Sequence, residues 1–153
     1  MSFPEFFKQV PDITLADPLA DFLGAAEGGL LRYGYADAVK LAGHSCPTVA
    51  SAYWLGVRAL QQLYPDAVPQ RGSITVDLRQ TLASGTTGVV TNVLGQLTGA
   101  ASSGGFAGLS GHFVRRDLMH FGVAIASEIR FTRTDTGRAV LAQCHLHNVP
   151  AHP

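Results

Sequence analysis

Two short pairs hold most of the chemistry this sequence can offer: His44-Ser45-Cys46 and His145-Leu146-His147. The first precedes Pro47, which suits an opening helical turn because the N–H that proline lacks would have no partner there. A cysteine at that place meets the positive end of a helix dipole, which lowers a thiol's pKa and favours thiolate chemistry or metal binding. The second pair is a histidine–x–histidine step on a stretch that reads as a strand. Side chains two apart on a strand point the same way, so both rings could grip one ion.

Together His44, Cys46, His145 and His147 form a set of nitrogen and sulfur donors for a transition metal, zinc first, with nickel or iron also within reach. The set requires the strand to approach the helix start. A plainer reading stands beside it: His145 and His147 face solvent near the C-terminus, and Cys144 fills an apolar strand face as a small core residue. His112 and His120 flank Arg115, Arg116 and Asp117, and a loop or ion-pair role suits them better than ligation. For His44 the plain alternative is a cap or core hydrogen bond. Cys46 also qualifies as a catalytic nucleophile, with a strand histidine as its base.

The elements that must position these residues follow from periodicity. Val49, Ala52, Tyr53, Leu55, Val57, Ala59, Leu60 and Leu63 recur mostly at three and four residues, predicting an amphipathic helix from Pro47 to Tyr64. Shorter helices are expected within 19–31 and over 35–41, the latter ended near Gly43. Residues 1–20, with prolines at 4, 11 and 18, read as an irregular arm. Ile74, Val76 and Leu78 alternate with polar residues as in a half-buried strand. The stretch 81–112 has no charged side chain; a helix is expected over 89–97 and a glycine-rich loop over 99–111, either a flexible crossover or a loop that approaches a cofactor. Residues 123–132 and 138–147 flank Thr134-Asp-Thr-Gly137, a turn signature, and predict a β-hairpin. Pairing Arg133 with Arg138 puts Val123, Ile125, Ser127, Ile129 and Phe131 on one face with Val140, Ala142, Cys144 and Leu146. The economical architecture is α+β, helices on one face of a mainly antiparallel sheet.

A chain of 153 residues fits one domain with a real core. Eleven basic residues balance eleven acidic ones without a basic run, which argues against nucleic acid as a partner. No apolar run reaches membrane-spanning length, and the N-terminus lacks the pattern of a signal peptide. Two cysteines make no disulfide framework, so a reducing, cytoplasmic setting is the default. Charged residues are only 14% of the chain, and a surface so poor in charge is expected to be partly covered in a homodimer.

Asp37-Ala-Val-Lys-Leu-Ala-Gly-His-Ser-Cys-Pro-Thr-Val-Ala-Ser-Ala-Tyr-Trp-Leu-Gly56 resembles the signature and following helix of the FmdE-like family, which takes its name from a component of formylmethanofuran dehydrogenase. Ala83-Ser-Gly-Thr-Thr-Gly88 is similar to that family's later glycine–cysteine–threonine segment, and Phe131 to Val140 to its closing hairpin. The resemblance spans about residues 35–145. It implies an α+β core shaped like the catalytic domain of glyceraldehyde-3-phosphate dehydrogenase, which dimerises and holds a metal beside His44 and Cys46. Ala42 stands where the family's first histidine falls, Thr48 where it has a glycine, and Thr86 where it has its later cysteine. Cys144 with the strand histidines would then replace the missing ligands, or the pocket would serve another cofactor. Haem is that alternative, since an axial His44 or Cys46 beside a charge-free wall is what it requires. Metal ion, haem and small-molecule ligand thus remain open at one place, the start of the helix that follows Cys46.

Overall fold

Periodicity of three and four residues becomes a 17-residue helix running from Pro47 to Leu63. The computed structural model of the chain describes residues 2–145. In order, its regular elements are β1 (Ile13–Ala16), α1 (Pro18–Phe22), β2 (Leu30–Tyr33), α2 (Tyr35–Ala42), α3 (Pro47–Leu63), β3 (Ile74–Leu78), α4 (Thr87–Thr98), β4 (Met119–His120), β5 (Ile129–Arg133) and β6 (Ala139–Ala142). Two 3-10 turns, Glu5–Gln9 and Glu27–Gly29, complete the set.

The architecture is α+β. The main sheet has the order β4-β3-β5-β6; β3 pairs antiparallel with β5, β5 antiparallel with β6, and only the short β4 lies parallel to β3. Alternation along β3 and β5 turns Ile74, Val76, Leu78, Ile129 and Phe131 into the core, each at most 4% exposed. Against that face lies α3, which offers Val49, Ala52, Tyr53, Val57, Leu60 and Leu63. The other side of α3 meets α4 through Val93, Leu94 and Leu97. Gly56 makes this crossing close: a Cβ there would stand 2.7 Å from Leu97 Cδ1 and 3.2 Å from Leu94 Cδ2. Gly56→Val should therefore cost about 1–3 kcal/mol through overpacking, outweighing the helix propensity gained on losing glycine. Urea denaturation checks it, and an unchanged midpoint would mean the two helices are free to separate.

The first twenty residues differ from the irregular arm expected of them. Ile13 and Leu15 point inward from β1, which pairs with β2, and Asp17 accepts hydrogen bonds from the N–H groups of Leu19 and Ala20 to cap α1 ahead of Pro18. The chain is fastened there. The Asp17 carboxylate, 4% exposed, also receives both Arg115 (2.6 Å) and Arg71, whose Nε–H donates to the Gln96 carbonyl at the end of α4.

The hairpin keeps its expected register: the Arg133 N–H donates to the Arg138 carbonyl (2.9 Å), and Ile129 and Phe131 stand opposite Ala142 and Val140. Its first strand is shorter than expected, starting at Ile129 rather than Val123. The cause lies in β3, which ends at Leu78, opposite Ile129. Upstream of that pair no strand is available, so 122–128 instead wraps the end of β3, with Val123 N–H donating to Leu78 O and Arg79 N–H to Glu128 O. Ser127 stays buried ahead of the strand, its hydroxyl donating to the Ala142 carbonyl of β6 (2.9 Å), and Cys144 lies beyond the end of β6. Among the described residues no helix is long and apolar enough to cross a membrane.

Candidate functional site

Ending one helix and starting the next within four residues is what presents His44 and Cys46. Gly43 terminates α2 in the left-handed conformation (φ 82°), with its N–H donating to the Val39 carbonyl. The backbone then turns extended at Cys46 (φ −142°, ψ 170°), the N-cap of α3, with Pro47 in the first turn. The Cys46 carbonyl accepts the first helical bond, from Ala50 N–H, while its side chain makes no capping hydrogen bond.

The thiol is partly buried and its pKa is lowered. The largest cause is the Val49 N–H; burial opposes it, and the His44 ring and the Thr48 N–H act in the same lowering direction. His44 itself is exposed, with Nδ1–H donating to the Ala42 carbonyl at 3.2 Å, which ties the ring back to the end of α2. The ring thus acts on the sulfur by lowering its pKa, while its own Nδ1 is committed to Ala42.

Beside Cys46 opens a cavity of about 440 Å³. Phe6, Val10, Tyr35, Ser45, Pro47, Ala50, Tyr53 and Trp54 complete its lining, and none carries a charge. The polar groups on this wall are few. The Tyr35 and Ser45 hydroxyls share a hydrogen bond of 2.7 Å, and the Tyr53 hydroxyl is committed to the Pro11 carbonyl. Burial pushes Tyr53 up to about 12, so it stays a neutral phenol. A chain of ring contacts, Phe6 to Phe7 to Tyr35 to Tyr53, with centroids 4.8–5.6 Å apart, fixes the N-terminal turn over this wall.

Cys144 sits elsewhere. It lines a second cavity of about 330 Å³ together with Thr48, Ser51, Thr86 and Glu128. Cys46 is not among that cavity's lining residues. His145 is exposed, its Nε2 3.3 Å from Gln143 Nε2, and His147 lies outside the described residues. Among the described residues no three His, Cys, Asp or Glu side chains are arranged to hold a metal ion, so His145 does not join His44 and Cys46 in a three-donor set. His120 is hydrogen-bonded on both ring nitrogens: Nδ1 to Asp77 Oδ1 at 2.7 Å and Nε2 to the Asp117 carbonyl at 2.9 Å. His112 lines a third cavity with Arg71 and Arg115. The glycine-rich stretch 99–111 folds back on itself through bonds such as Ala101 N–H to Arg115 O and Arg115 N–H to Phe106 O. None of its residues lines the cavity beside Cys46.

Sequence reasoning overlooked the walls: Phe6, Tyr35, Ser45 and Trp54. A signal for Trp54 was present, since it falls between buried positions 53 and 56 on α3 and so belongs to the outward face. Nothing local could have brought Phe6 to it. No protein-family model matches this chain, and no match appears among the curated proteins or the solved structures.

Proposed function

We propose that Cys46 and His44 form a thiolate–imidazole centre that engages a small molecule in the adjoining cavity, with Cys46 as the nucleophile. One observation carries this reading: Cys46, at the N-cap of α3 with His44 two residues before it, has a lowered thiol pKa and lines a cavity large enough for a ligand. In this reading the imidazole takes the thiol proton as the thiolate forms and, once the sulfur has attacked, passes that proton to the group the substrate releases.

A metal centre is the second reading, favoured by the adjacency of one nitrogen and one sulfur donor. It requires further donors, from His147 or from the ligand itself, because the described residues bring only two together.

Iodoacetamide labelling at neutral pH, read by peptide mass spectrometry, separates the two. The nucleophile reading expects Cys46 to label about ten-fold faster than Cys144, with or without a chelator. Labelling of Cys46 that appears only after chelation would favour the metal, and equal slow labelling of both cysteines would contradict the thiolate centre.

A further inference from the structure

We infer that the cavity beside Cys46 takes a flat aromatic molecule that is not an anion and carries one hydrogen-bonding oxygen. This rests on the reading of Cys46 as facing a small-molecule site and adds the class of ligand.

Apart from the Cys46 sulfur, no lining residue bears a charge. The Arg58 guanidinium lies over the Trp54 ring, 5.7 Å from its centroid, and is not itself part of the lining. An anionic ligand would leave water with no cation on the wall to meet it, which is costly, and would be repelled by the thiolate that the helix start favours. The wall therefore turns away anions.

Flatness follows from the rings. Phe6 and Trp54 are 53% and 43% exposed although both are large and apolar. Each borders the cavity, so a ring entering it removes aromatic surface from water on the ligand and on both side chains. Aromatic rings pair edge-to-face or offset, gaining beyond the area they bury. A flexible aliphatic chain would bury similar area without that gain and with more rotational freedom lost.

The single oxygen comes from the Tyr35–Ser45 pair. Two hydroxyls joined by one bond have two hydrogens and use one between them, leaving the other to donate outward. Both residues line the cavity, so a carbonyl or hydroxyl oxygen of the ligand can accept it.

Trp54 is the chain's only tryptophan, so its fluorescence reports on this cavity alone. Titration with para-nitrobenzyl alcohol, a neutral aromatic quencher, should quench Trp54 saturably. Para-nitrobenzoate, which has the same ring and a carboxylate, should bind at least about ten-fold more weakly. Ala50→Leu, an exposed helix position whose larger side chain fills the cavity, should weaken the alcohol by about ten-fold, and Phe6→Ala should weaken it in the same direction. Quenching that rises linearly without saturation, benzoate binding as tight as the alcohol, or affinity untouched by Ala50→Leu would each overturn the inference. Its failure is separable from that of the thiolate centre. Saturable binding by a protein whose Cys46 titrates as an ordinary thiol would sink that centre and keep this ligand class; a lowered thiol pKa without saturable binding would do the reverse.

Discussion

Asp17→Asn should lower the unfolding free energy by about 3–5 kcal/mol, the range for stranding a buried charge by removing its partner. Asparagine keeps a side-chain oxygen able to cap α1, so the loss isolates the charge rather than the cap. In the native protein one carboxylate, 4% exposed, holds two guanidiniums, and Arg115 is itself only 8% exposed. Arg115 reaches Asp17 through Nη2, while its buried Nε has no hydrogen-bond partner among the described residues, so the loss of Asp17 would leave this guanidinium still less satisfied. The pH dependence follows the same pairing. Burial pushes the Asp17 carboxyl up, but the hydrogen bond from Arg115, the Ala20 N–H and the charges of Arg115 and Arg71 hold it below its usual value. A carboxyl depressed by folding contributes stability that is fully present above its unfolded pKa and is lost as pH falls through the folded one. Wild type should therefore lose this contribution in acid while Asp17→Asn has none to lose. Urea melts across pH check it; a loss under about 1 kcal/mol at neutral pH, with parallel acid profiles, would show the cluster to be an ordinary surface network.

Cys46→Ser should remove the fast-reacting thiol altogether, and His44→Ala should slow alkylation of Cys46 several-fold near neutral pH. The second effect is partial for a stated reason. The largest cause lowering the thiol pKa is the Val49 N–H, which belongs to the helix and so outlasts the loss of the ring. The sign is fixed: a lowered thiol pKa means more thiolate at a given pH, hence faster alkylation, and taking away His44 raises the pKa toward the usual thiol value. Rates equal in wild type and His44→Ala would mean that the exposed imidazole contributes nothing to the sulfur.

What could be read from the residues, and what could not, divides by the range of the contacts involved. Pro47 at the first turn and the spacing Val49, Ala52, Tyr53, Leu60, Leu63 define α3 almost to the residue, because both signals are local. Thr134 to Gly137 set the hairpin register for the same reason, Gly137 supplying the positive φ (75°) that closes the turn. The apolar alternation at Val123, Ile125 and Ser127 misleads because a strand also needs a partner, and β3 has run out at that point. In the N-terminal twenty residues the prolines obscure two real signals: the alternation Ile13, Leu15 and the helix start Asp17-Pro18. At the site, the neighbouring of His44 and Cys46 is a matter of two residues of backbone and was legible. The cavity wall depends on Phe6 and Tyr35 arriving from elsewhere in the chain, and no spacing rule encodes that. Of the expected histidine pair, His145 lies beyond the end of β6, exposed beside Gln143.

Reactivity at this site depends on the ionisation of one sulfur, and titrating it directly is the sharpest test. Ultraviolet absorbance of the Cys46 thiolate, followed against pH in a Cys144→Ser background, should give a pKa below that of an ordinary cysteine, rising toward it in His44→Ala. A titration at or above the ordinary value, unmoved by His44→Ala, would contradict the thiolate–imidazole centre.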